Sequence, residues 1–391
     1  MAGFSGIRLA AVAALALAAC GGSSQTPTTS AHIPGLAGKA AGYDDIEIDQ
    51  ASQVVYVADR TDTGIDVFDV SGSSPKYVRT VTLPDAPNGL AVAHDLGRIY
   101  AGTGSGAVEV VDPVAGKVVS EIKTGAKDID LLDVAPAQGL LFASTGAGGT
   151  LLTIDLSTTK VVSTAAIGKP LEQPRFNTKD QLVYVSVPNL DAIVVVDPKT
   201  GTVTRTVKLG GCIPRGFGIR PGTNTALVAC RKSVMAVDLG SGKSKIVGKV
   251  PDADLVQYFP AVDRFFVAAS FSTRPSMFGM YGGDPVQELG IANIDGGGAA
   301  AVYETTNDAI YTSDGRAGSA GLTGFRMDGS RPVTLLQSAL TTGVPVLVFV
   351  LVLVVIFWFV GRKADPIHRK QRAASSAPAV VLAKPRVEGP P

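Results

Sequence analysis

The chain has 391 residues, with 45 Gly, 24 Pro, 6% aromatics, 18% charged residues and a formal net charge of +1. That length affords a sizeable core, while the near-zero charge excludes a basic nucleic-acid footprint spread over the whole molecule, and no nucleic-acid partner is expected. Three His at 32, 94 and 368 leave no imidazole-rich metal site, so neither a metal nor a cofactor is predicted.

Residues 1–20 read as an export signal: Arg8, then an apolar stretch from Leu9 to Ala19 that is too short to span a bilayer. The stretch ends in Leu17-Ala18-Ala19-Cys20, which resembles the lipobox of bacterial lipoproteins and implies an acyl anchor on Cys20. Ordinary cleavage after Ala16-Leu17-Ala18 is the alternative. Residues 21–30 are a flexible linker.

Between residues 31 and 330 one pattern recurs: an apolar strand, a turn, a second strand with Tyr or Phe, a third ending in Asp, then Gly. The third-strand Asp stands at Asp69, Asp112, Asp155, Asp197 and Asp238, in IDVFDVSGSS, VEVVDPVAGK, LLTIDLSTTK, IVVVDPKTGT and VMAVDLGSGK. The second strand recurs as QVVYVAD, GRIYAGT, GLLFAST, QLVYVSV, TALVACR, RFFVAAS and DAIYTSD, which makes seven units. Short alternating strands cannot bury both faces alone, so neighbouring units must stack; four strands in a repeat near 42 residues match a propeller blade. The repeated Asp is assigned to a turn, accepting backbone hydrogen bonds, because equivalence across units marks structure rather than catalysis.

After a juxtamembrane linker, 331–341, the run from Thr342 to Val360 has 19 residues and no charge, enough for a membrane helix of about 28 Å. Phe357, Trp358 and Phe359 sit near one end, followed by Arg362, Lys363, Arg369, Lys370 and Arg372; the basic flank places that end in the cytoplasm. The tail 361–391 is rich in Ala, Pro and Ser, carries a net charge of +5 and is expected to be disordered, whereas 21–340 carries −5. The predicted location is therefore a cell membrane, with the repeats on the extracytoplasmic side and the tail in the cytoplasm.

LVYVSVPNLDAIVVVDPKTGTVTRTVKLGG and RIYAGTGSGAVEVVDPVAGKVV resemble the YVTN-repeat β-propellers, including the YncE-like proteins, over about 300 residues. The resemblance implies an all-β, seven-bladed propeller of four-stranded antiparallel blades outside the cytoplasm. It says little about ligands, because such propellers serve many functions. HIPGLAGKAAGYDDIEID resembles the family's opening, which makes His32 to Leu36 the outer strand of blade seven; Val333 to Gln337 is the alternative. Under the first arrangement both anchors leave from the bottom and the top faces away from the membrane.

Residues just before each innermost strand ring the channel: Asp44, Asn88, Asp128, Arg175, Arg215 and Asp254, with Arg60, Arg231, Arg274 and Arg316 in the loops after the second strands. Such a mouth suits a small polar or anionic ligand held by Arg, or an unidentified protein; solvated loop polarity is the plainer account. In blade six, Phe271 to Gly290 reads as an insertion whose Met277, Phe278, Met280 and Tyr281 form an apolar lid, or pack on the rim. Cys212 and Cys230 flank the Pro221–Asn224 turn closely enough to predict a disulfide in an exported domain.

No CxxCH, GxSxG, HExxH or EF-hand pattern occurs. The function expected is a membrane-anchored, non-enzymatic binding scaffold working through its top face. An extracytoplasmic enzyme of lyase, lactonase or dehydrogenase type at the channel mouth is the alternative.

Overall fold

The computed structural model describes residue 26, residues 28–36 and residues 38–329. Cys20, the 342–360 run and the basic tail lie outside the described residues. Among the described residues no helix is long and apolar enough to cross a membrane.

Seven four-stranded antiparallel sheets form the seven blades of a β-propeller. In blades one to six the strands follow chain order from the channel outward. Blade one, for example, runs Tyr43–Asp49, Val54–Asp59, Gly64–Asp69 and Lys76–Thr82. Blade seven takes its three inner strands, Val302–Glu304, Ala309–Asp314 and Gly321–Phe325, from the end of the ring, and its outer strand, Thr28–His32, from the beginning. Closure is therefore N-terminal, and the alternative of a closing strand at 333–337 falls. The closing strand also lies four residues upstream of its expected place. Pro34 lacks a ladder donor, and Pro34–Leu36 forms a 3-10 turn that buries Leu36 instead.

Thr28 pairs with Phe325 and His32 with Gly321. Blade seven's third strand descends from the top face to the bottom, and its antiparallel partner climbs from the bottom. The described chain thus enters and leaves the ring on one face, the bottom. The loops leading into the inner strands lie on the other.

Packing is distributed rather than central. Six clusters of buried side chains fill the seams between blades, such as Tyr56, Ile65, Leu90 and Ile99 between blades one and two. The third-strand Asp residues do what repetition suggested. Asp112 Oδ1 accepts from the amides of Val114 and Ala115, both at 2.9 Å, and Asp238 Oδ1 from Gly240 and Ser241, both at 2.8 Å. These bonds, that from Ala115 foremost at Asp112 and that from Ser241 at Asp238, hold both carboxyls below their ordinary range.

Blade six corrects the expectation of a lid. Ser276–Gly282 is its third strand, paired with Arg264–Ala269 on one side and Gln287–Ile294 on the other. Phe278, Met280 and Tyr281 are buried, and Met277 packs beside the seam with blade five. Gly279 and Gly282 interrupt the apolar alternation, which is why the segment reads as a loop. Gly279 and Gly248 leave the space that the Tyr281 ring fills. Across blade five, Cys212 and Cys230 are joined by a disulfide, Cα to Cα 4.7 Å, closing a separation of 18 residues.

Candidate functional site at the channel mouth

Cross-strand register identifies equivalent positions around the channel. Ile46 faces Val57, Leu90 faces Ala101, Leu132 faces Ala143, Pro174 faces Val185, Phe217 faces Val228 and Val256 faces Val267. Two residues upstream of each stand Asp44, Asn88, Asp130, Glu172, Arg215 and Asp254. This tier forms the mouth. Four of the expected residues belong to it, while Asp130 and Glu172 stand where Asp128 and Arg175 were expected.

Asp128 lies on the loop before the tier, where its Oδ2 accepts from Ala147 N at 3.1 Å. Arg175 lies deeper, one residue below the tier of Ile46. Its Nη1 is 3.7 Å from Asp133 Oδ1, in a 370 Å³ cavity also lined by Glu47, Gln257, Thr178 and Tyr258. This cavity occupies the bottom half of the channel, since the loop residues Ala137 and Gln138 line it too. Burial raises Asp133, an effect the Arg175 guanidinium opposes. Burial pushes Asp45 up to about 7 and Glu47 well above its ordinary range, the Asp45 charge adding to the latter.

Several of these channel groups also stitch the blades together. Asp45 Oδ2 accepts from Leu90 N at 2.9 Å, Asp133 Oδ2 from Phe176 N at 2.6 Å and Gln173 Oε1 from Phe217 N at 2.9 Å. Each bond joins the inner strands of neighbouring blades. Gln257 reaches past blade seven to donate to Ile46 O at 3.0 Å.

At the mouth, Arg60, Arg215 and Arg316 are paired with carboxylates of the chain itself. Arg60 Nη2 lies 2.5 Å from Asp44 Oδ2 and donates to Asn88 Oδ1 at 2.7 Å, and Arg215 Nη1 is 3.7 Å from Asp254 Oδ2. Arg316 forks onto Asp314, its Nη2 2.6 Å from Oδ2, and Arg274 stacks 3.6 Å over the Phe271 ring. Arg231 is exposed on blade five beside the disulfide, its amide donating to Cys212 O at 3.0 Å.

The carboxylates are a different matter. Asp130 and Glu172 face into the mouth, and no hydrogen bond or ion pair forms at either side chain among the described residues. Burial pushes Asp130 up to about 7, with the Asp44 charge adding to it. Burial likewise pushes Glu172 up to about 7, with the Asp130 charge next. Asp44 and Asp254 are raised by burial against the opposing pull of Arg60 and Arg215. With all four carboxylates ionised, Arg60 and Arg215 leave the tier at −2.

The tier itself is thus net acidic once Arg60 and Arg215 are counted. The carboxylates are spread around a ring rather than converging on a point. Among the described residues no group of three or more His, Cys, Asp or Glu is placed to hold a metal ion. The register is what sequence reasoning missed. Asp44, Asn88, Asp130, Glu172 and Arg215 follow at intervals of 44, 42, 42 and 43, close to the repeat, whereas Asp128 and Arg175 break that spacing. Neither a protein-family model nor a curated protein matches the chain, so its resemblance to YVTN-repeat propellers rests on the repeat residues, and the seven-bladed fold rests on the strands themselves.

Proposed function

We propose that the protein is a non-enzymatic binding scaffold, held at the extracytoplasmic face of a membrane by both ends, whose channel mouth receives a cationic group of a small molecule or of a partner protein. One observation carries the choice of charge: Arg60 and Arg215, the two arginines in contact with the tier, are paired with Asp44 and Asp254, while Asp130 and Glu172 have no ion pair among the described residues. A protonated amine or guanidinium supplies what both lack, a charge-assisted hydrogen-bond donor. The orientation is supported by the ring closure. Cys20 stands seven linker residues before Thr28, a reach of roughly 25 Å, so an acyl anchor there draws the bottom face to the lipid and turns the mouth outward.

The test is titration of the full-length protein in nanodiscs with a pentalysine peptide and, separately, a pentaglutamate peptide. Pentalysine binds at pH 8. Asp130→Asn with Glu172→Gln weakens it by about tenfold per carboxylate, and acidification to pH 5.5 releases it as both groups protonate. Preference for pentaglutamate, or unchanged pentalysine affinity in the double variant, refutes the reading. Turnover of a bound substrate would instead favour the enzyme alternative.

A further inference from the structure

An edge strand is an open template for another chain, and natural sheets blunt such edges with charge and bulges. Blades one to six do both. In each, the register of the outermost pair shifts by one residue, which pushes Val78, Val119, Val162, Thr204, Val247 or Leu289 out of the ladder. Their outer strands also carry Lys76, Lys117, Lys160, Lys208, Lys245 and Glu288. The outer strand of blade seven has neither device. Thr28–His32 reads Thr-Thr-Ser-Ala-His, holds continuous register over all five residues and exposes all but Ala31.

Its free backbone groups can be assigned. Ile33 N donates to Ala320 O at 3.0 Å, so Ile33, Ala31 and Thr29 turn their amides toward the Gly321–Phe325 strand. By alternation, the N–H and C=O groups of Thr28, Ser30 and His32 point away from it. Two hollows adjoin this strand, and Thr26 and Thr28 line both. One, of 700 Å³, is lined by Leu289, Ile291, Tyr311, Phe325 and Met327. The other, of 230 Å³, is lined by Asp295, Asp314, Arg316 and Ser319. The first mixes these apolar side chains with Thr28, Ser73, Asn307, Arg326 and Asp328. The second is polar, with His32, Ser319, Thr323 and the Asp314–Arg316 ion pair in its lining.

We propose that the Thr28–His32 edge accepts an extended segment of a partner protein as a fifth strand of blade seven, its apolar side chains lying against Leu289, Ile291, Phe325 and Met327 and its neutral polar ones against the smaller hollow. This is β-augmentation: main-chain hydrogen bonds supply affinity, and the adjoining pockets read alternate side chains. A second copy does not fit. On the membrane anchoring proposed above, antiparallel pairing of two such edges inverts one ring and turns its bottom face away from the membrane. Twofold pairing with both rings upright sets identical donors against each other. Neither point depends on what the channel mouth binds.

The probe is a fluorescein-labelled heptapeptide of alternating leucine and threonine, added to full-length protein in nanodiscs. Asp130→Asn with Glu172→Gln is the background, so that the mouth cannot contribute. Ser30→Pro is the informative variant. It deletes an outward N–H that the fold does not use and leaves the inward ladder intact. Binding of the heptapeptide, protection of the Ser30 and His32 amides in hydrogen exchange, and at least tenfold weaker binding by Ser30→Pro are expected. Ser30→Lys, which keeps the backbone, weakens binding as well, and circular dichroism of both variants matches the parent. Absence of binding, equal binding by Ser30→Pro, or a concentration-dependent dimer that Ser30→Pro abolishes overturns the proposal, the last by identifying the occupant as a second copy.

Discussion

Between blades seven and one lies a buried pair of carboxyls whose ionisation should be visible in the stability of the ring. Asp59 and Asp66 are fully buried on the face of blade one that packs against blade seven, where Val57 and Phe68 join the seam. Asp59 Oδ1 accepts from Thr61 N at 2.7 Å and Asp66 Oδ1 from the Thr80 hydroxyl at 2.5 Å. Oδ2 of both, and the nearby Tyr43 hydroxyl, are buried without a hydrogen-bond donor or acceptor. Two negative charges there are costly, so the pair retains a proton. Burial, first, and the charge of Asp59 push Asp66 up to about 7 against the opposing Thr80 bond; burial also raises Asp59. A raised carboxyl binds more protons folded than unfolded. Its share of stability is therefore full below the unfolded value of 3.8, falls as pH rises from about 4 to 7, and is lost above. Three pH units at about 1.4 kcal/mol each set a ceiling of about 4 kcal/mol. Asp66→Asn keeps the shape, donates to Asp59 and does not ionise. Urea unfolding at pH 5, 6, 7 and 8 of both proteins isolates the effect, because Asp45, Asp130 and Glu172 bend both curves alike. The variant should gain on wild type from pH 5 to about pH 7 and hold that gain at pH 8. Parallel curves, or a variant that loses ground toward pH 8, refute the shared proton.

Three further outcomes follow from the geometry. Cys212→Ser with Cys230→Ser removes the clasp on blade five and should cost about 3 kcal/mol, read as a lower denaturation midpoint that reductant reproduces in the parent. Gly89→Ala places a Cβ 2.6 Å from Asp130 O and 2.7 Å from Leu131 Cα, backbone atoms of the next blade that cannot swing aside; about 1–3 kcal/mol should be lost in thermal unfolding. Arg60→Gln removes the cation bound to Asp44 and makes the mouth more negative, so pentalysine affinity at pH 8 should rise severalfold in the nanodisc titration.

The blades were legible because their signals are local. A third-strand Asp ahead of a turn needs only its own amides, and an alternating strand needs only its own two faces. Asp130 and Glu172 were hidden because membership of the mouth depends on register against a second strand, and a shift of two or three residues leaves the local sequence equally polar. The pairing of Arg60 was hidden for a related reason. Arg60 meets Asp44 and Asn88 across loops that no linear spacing aligns. In blade six, Gly279 and Gly282 erase the alternation because other side chains supply the missing bulk, Tyr281 at the first and Arg264 and Leu289 at the second, a tertiary fact. Cys212 and Cys230 were readable from their place about one hairpin, where distance along the chain and distance in space go together.

Thr28 and Phe325 are ladder partners about 300 residues apart, so the last seam of the ring cannot form until nearly the whole propeller has been made. Bringing such distant points together costs about 5 kcal/mol of chain entropy beyond a constant term. A polypeptide emerging amino end first passes through an open crescent, its leading strand unpaired, and snaps shut only once the last blade has emerged. The five residues that complete the circle are also the cheapest place to reopen it, which makes the junction of first and last strands the natural latch of the whole assembly.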